Sequence, residues 1–149
     1  MSYNEHMKET ISHYPLARNE VTALLKENGI TPTRQRLEIA QYLFQKQQHL
    51  SAERILESVN ALGHHVSRAT VYNTMGLFTS KGLVREVLID RERVFYDSNC
   101  QPHHHIYNLD TGELNDVEGS SDINVINISG LPEGCRIVDT EVVIKVSQK

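Results

Sequence analysis

The chain has 149 residues, 39% hydrophobic and 23% charged, enough for one ordinary domain or two small ones with real cores. No apolar run approaches the roughly 18–20 residues that span a bilayer, Met1–Tyr14 lacks the apolar stretch of a signal peptide, and two cysteines cannot build a disulfide framework, so a cytoplasmic protein with no membrane partner is expected. The formal charge of −4 divides unevenly: residues 16–93 hold 11 basic and 8 acidic side chains (+3), residues 94–149 hold 3 and 9 (−6), which suggests two units of which the first tolerates a polyanion.

The front two-thirds reads as helical. Leu16, Val21, Leu24 and Leu25 recur at helical spacing, and Asn28-Gly29 closes the run. Thr31-Pro32-Thr33 starts a second helix whose stripe is Leu37, Ile39, Ala40, Leu43 and Phe44. Ser51 opens a third, with Ile55, Leu56, Val59 and Leu62 inside and Gly63 after it. Ser67 caps a fourth, Arg68 to Lys81, ended by Gly82. The period then changes: residues 83–89 and 93–96 flank the turn Asp90-Arg91-Glu92 and read as a β-hairpin. Helices followed by such a hairpin match a winged helix-turn-helix, with the Ser67 helix as recognition helix.

The tail reads as strands. Residues 105–109 and 113–117 flank the turn Asp110-Thr111-Gly112, Arg136 to Val146 reads as one longer strand, and Ile123–Ile128 fits a short helix or a strand. A unit of about 50 residues folds poorly alone, and dimerisation through a shared sheet would supply the missing buried area. The expected class is α+β, with a winged-helix domain over 1–98 and a small α/β dimerisation and metal-sensing domain over 99–149.

Histidines carry the chemistry. On a strand, His103 and His105 share one face and His104 points to the other, so the pair forms half of a transition-metal site. Asp97, Asp110 and Asp116 are the nearby carboxylates able to complete it, and alternation does not choose among them. A solvated polar strand is the competing reading. His64-His65, before the recognition helix, reads as contacting backbone or phosphate, and His6 and His13 read as solvated.

The segments Gly29-Ile30-Thr31-Pro32-Thr33-Arg34-Gln35-Arg36, His49-Leu50-Ser51-Ala52-Glu53 and Ser67-Arg68-Ala69-Thr70-Val71-Tyr72-Asn73 resemble the DNA-binding half of the ferric uptake regulator family. The triple histidine and the Asp-Thr-Gly-Glu turn fall where that family has its metal-binding strand and hairpin. The resemblance implies a dimeric repressor of A·T-rich operator DNA. It assigns a regulatory Fe²⁺ or Mn²⁺ to His49, Asp97, His103, His105 and Asp116, with Zn²⁺ as an in vitro substitute. It also implies base reading by Tyr72 and Asn73, with Ser67, Arg68 and Thr70 near phosphates; a core aromatic is the competing reading of Tyr72. Aspartate at 97 favours the peroxide-sensing branch, in which the counterparts of His49 and His103 are oxidised.

The departures from the family are equally informative. The two Cys-x-x-Cys pairs of most relatives are missing, so no four-cysteine structural zinc is expected. The zinc-free subgroups include haem-responsive iron regulators with a histidine-rich strand, so haem is the alternative cofactor. Glu118 is the one carboxylate singled out for a second metal site. A metalloenzyme is disfavoured, because no nucleophile–base pair accompanies the histidines.

Overall fold

The computed structural model describes residues 11–118 and 129–148. Ile123–Ile128 and His6 lie outside the described residues. The chain divides into two compact units, residues 1–100 and 101–149.

The first unit contains α1 (Arg18–Glu27), α2 (Arg34–Leu43), β1 (His49–Leu50), α3 (Ala52–Ala61), α4 (Arg68–Ser80), β2 (Arg85–Leu88) and β3 (Val94–Asp97). Each of the last three helices starts on a side-chain cap. Thr33, Ser51 and Ser67 accept from the backbone N–H three residues on, at 3.4, 3.2 and 3.1 Å. Gly63 and Gly82, at φ 91° and 69°, take the left-handed step that ends α3 and α4 without the cost a Cβ would add.

The core of this unit is Val21 and Leu25 of α1, Ile39, Ala40 and Leu43 of α2, Ile55 and Val59 of α3, and Val71, Met75 and Phe78 of α4. The apolar stripes expected from the sequence thus meet one another, and α2 packs against α1, α3 and α4. The turn between α3 and α4 is clamped by Asn60, whose amide donates to the Val66 carbonyl (3.1 Å) and accepts from its N–H (2.9 Å).

Strands β1, β3 and β2 form an antiparallel sheet in that order. β1 has two residues, too few for any periodicity to reveal, and sequence reading missed it. Gln48 holds it in place: the side-chain amide donates to the Tyr42 and Leu43 carbonyls at the end of α2, and its N–H donates to Ser98 Oγ.

The second unit is a three-stranded sheet in the order β5-β4-β6, made of β4 (His105–Asn108), β5 (Leu114–Asp116) and β6 (Val143–Val146). β5 runs antiparallel to β4 and β6 parallel to it. The long strand expected over Arg136–Val146 is a correction. Among the described residues only the last four pair, with His105 to Asn108 of β4. β-branched composition alone does not create a ladder.

Candidate metal centre and nucleic-acid interface

The expected ligands fall into two groups, one in each unit. In the first, His49 and Asp97 are directly opposite across β1 and β3, with His49 Nε2 3.0 Å from Asp97 Oδ2. Asp97 is 1% exposed, and its other oxygen accepts the Asn99 N–H at 2.8 Å, which fixes the carboxylate's orientation. In the second unit, His105 and Asp116 are directly opposite across β4 and β5. Asp116 Oδ1 lies 3.0 Å from His103 Nε2 and 3.5 Å from His105 Nε2, and the two imidazoles stand 4.4 Å apart between centroids. Each aspartate therefore faces a histidine across a strand pair, where side chains on one face are nearest neighbours.

These groups supply imidazole nitrogen and carboxylate oxygen without thiolate, a donor set that fits Fe²⁺, Mn²⁺ or Zn²⁺. His104 is used differently. Its Nδ1 accepts the Val142 N–H at 3.0 Å, tying the strand to the segment before β6. Asp110 accepts from Ser147 Oγ and the Gln148 N–H, at the far end of β6. Glu118 is exposed. Sequence reasoning missed Glu141, whose Oε1 is 3.4 Å from His105 Nδ1, on the side away from Asp116. A carboxylate behind a ligand histidine orients the ring. Its only signal was a position beside the last strand, 36 residues from the histidine.

His105 is fully buried, and Tyr107 on the same strand and Leu114 on β5 are buried as well. His64 also differs from expectation. Its Nδ1 lies 3.1 Å from Glu38, a buried carboxylate that also takes Arg34 Nε at 2.9 Å. The residue thus ties the turn before α4 to α2, where a backbone or phosphate contact was expected.

On α4, Tyr72 is 48% exposed, which rules out the core-aromatic reading. Asn73 is exposed beside it. Ser67 is occupied as the helix cap, with Thr70 bonded to it, and Arg68 pairs with Glu53 of α3 at the helix start. The Tyr72 hydroxyl also reaches Glu53, at 3.4 Å. The wing turn between β2 and β3 is built on Asp90, which accepts the Glu92 and Arg93 N–H groups and pairs with the Arg93 side chain. That guanidinium and those amides hold the Asp90 carboxyl down at about 2. Among the described residues, no helix is long and apolar enough to cross a membrane. Cys100 and Cys135 are exposed and form no disulfide.

The profile of the ferric uptake regulator family matches residues 27–145. The ferric uptake regulation protein of Vibrio cholerae serotype O1 is 34% identical over 101 residues, 66% of this chain and 66% of that protein. The peroxide-responsive repressor PerR of Staphylococcus aureus strain Mu50 is 30% identical over 110 residues, 74% and 72% of the two chains. The structure of the ferric uptake regulator from Pseudomonas aeruginosa with manganese matches with a TM-score of 0.66 at 25% identity. That match covers 90% of this chain and 99% of that one.

Proposed function

This chain belongs to the ferric uptake regulator family, whose members are dimeric, metal-responsive DNA-binding regulators and not enzymes, and from that membership we propose a specific role for it. It is a cytoplasmic repressor that binds A·T-rich operator DNA as a homodimer and senses peroxide through Fe²⁺ or Mn²⁺. Residues 1–98 read DNA, and residues 99–149 dimerise and sense metal.

The observation that carries this reading is the pair of cross-strand partnerships, His49 with Asp97 and His105 with Asp116, the latter carboxylate also beside His103. Together the five side chains would hold one ion by three nitrogens and two oxygens. A bound Fe²⁺ would supply the reduction of hydrogen peroxide beside oxidisable imidazoles. Two of the proposed ligands belong to the first unit and three to the second. Binding of the ion would shift the population toward the form that holds it best, by its differential affinity. The exposed Tyr72 and Asn73 supply base contacts: asparagine suits the adenine edge, and tyrosine packs on the thymine methyl. Ser67, Arg68 and Thr70 serve the adjoining phosphates.

Similarity to a peroxide-responsive repressor and the aspartate at 97 support peroxide as the signal. Haem has less support. His105 is fully buried, which leaves no room at its ring for a porphyrin, and His104 Nδ1 already accepts a backbone N–H.

The test is mass spectrometry of iron-loaded and manganese-loaded protein after a small peroxide dose, with operator binding followed in parallel. One added oxygen on His49 or His103, only with iron and together with release from DNA, is the expected result. Release that needs Cys100 or Cys135, or release without histidine oxidation, would refute the peroxide reading. A Soret band on titration with haem would then favour the haem-responsive alternative.

A further inference from the structure

Beside the recognition helix lies a cleft of about 290 Å³, lined by Thr33, Gln35 and Arg36 at the start of α2 and by Thr70, Asn73 and Thr74 on α4. No carboxylate lines it, and its one charge is the Arg36 guanidinium. That group spends a single donor on the Thr31 carbonyl, at 2.9 Å, out of the five it carries. The Thr33 side chain caps only the Arg36 N–H, so the N–H groups of Arg34 and Gln35 have no acceptor within the helix. They sit at the positive end of the α2 dipole.

Thr74 is an independent sign of a ligand here. It is 4% exposed, and its hydroxyl makes no hydrogen bond among the described residues, yet it opens on this cleft. Threonines in helices commonly bond back to a carbonyl one turn earlier, as Thr22 and Thr79 do in this chain. Thr74 instead leaves its hydroxyl unbonded and reachable from the cleft, on a side chain that is otherwise buried.

We propose that this cleft seats one phosphodiester group of bound DNA, held by the first-turn amides of α2, the Arg36 guanidinium and the Thr74 hydroxyl. The inference rests on the DNA-binding reading above and adds a second helix to the interface. Its consequence is positional. The seat adjoins Asn73, so a phosphate anchored there fixes the register at which Asn73 meets a base edge.

The test measures binding of the metal-loaded full chain to a duplex selected by that chain from a random pool, and to an unrelated duplex of equal length, over a range of salt. Arg36→Gln should weaken both duplexes alike, and should reduce the slope of log affinity against log salt by about 0.9, one phosphate contact. Thr74→Val should weaken both by roughly tenfold with the slope kept, and Thr74→Ser should restore binding, which separates the hydroxyl from packing. Unchanged affinity and slope in Arg36→Gln, with the wild type still selective, would overturn the seat and leave the DNA reading standing. A loss confined to the selected duplex would also overturn it, since that is base readout. If the wild type bound no duplex at all, both readings would fall together.

Discussion

Asp116 and His105 are paired across the same two strands, yet their substitutions should differ. Asp116 keeps 40% of its side chain exposed, so Asp116→Ala removes a proposed ligand with little loss of packing. Metal-stimulated DNA binding should vanish, with the melting temperature of the metal-free protein nearly unchanged. His105 has no exposure, so His105→Ala also opens a cavity in a small interior, and destabilisation by about 2 kcal/mol or more should accompany the lost response. Thermal melts of the two metal-free variants check the contrast; equal melting temperatures would contradict the burial argument. At Asp90, the Arg93 guanidinium and two backbone amides favour the ionised form. Its contacts therefore contribute above the ordinary carboxylate value and are lost only as pH falls through about 2. Carboxyl NMR of Asp90 should titrate there, and Arg93→Ala should move the midpoint upward.

At the level of elements, the recognition helix depends on how its preceding turn is held. Asn60→Ala would leave the Val66 N–H and carbonyl without their partner and cost about 2 kcal/mol, read as a lower denaturation midpoint at unchanged slope. On α4 itself, Arg68→Ala should weaken all duplexes similarly, whereas Asn73→Ala should relax preference at one base position by roughly 1–3 kcal/mol. A uniform loss in both variants would contradict the proposed use of this helix. These helices were legible in the sequence because Thr33, Ser51 and Ser67 announce their starts and the apolar stripes have one period. β1 was not, because two residues carry no period, yet β1 is what sets His49 opposite Asp97. Nor could composition show where β6 begins, since Arg136 to Val142 has strand-forming side chains but no strand partner among the described residues. The charged residues inside, Glu38 and Asp97, were equally invisible as buried groups: their burial depends on partners brought by other elements, such as His64 to Glu38. Likewise Glu141 reaches His105 only through the parallel pairing of β6 with β4.

Across the whole chain, charge and chemistry are divided the same way. The unit that carries the capped helices and the wing holds 12 basic and 11 acidic side chains (+1), and the unit that carries His103, His105 and Asp116 holds 3 and 8 (−5). A net charge of −4 is no obstacle to DNA binding, because affinity follows local phosphate neutralisation, and binding should fall steeply with salt. The proposed function requires a bound metal ion to make the chain competent to bind its operator. It is tested most directly by titrating Mn²⁺ into metal-free protein at fixed operator concentration, while following DNA anisotropy for the wild type and Asp116→Ala. Little binding without metal, saturation at one ion per chain in the wild type, and no response in the variant are the expected results. Equal operator affinity with and without metal, or a wild-type response in Asp116→Ala, would contradict it.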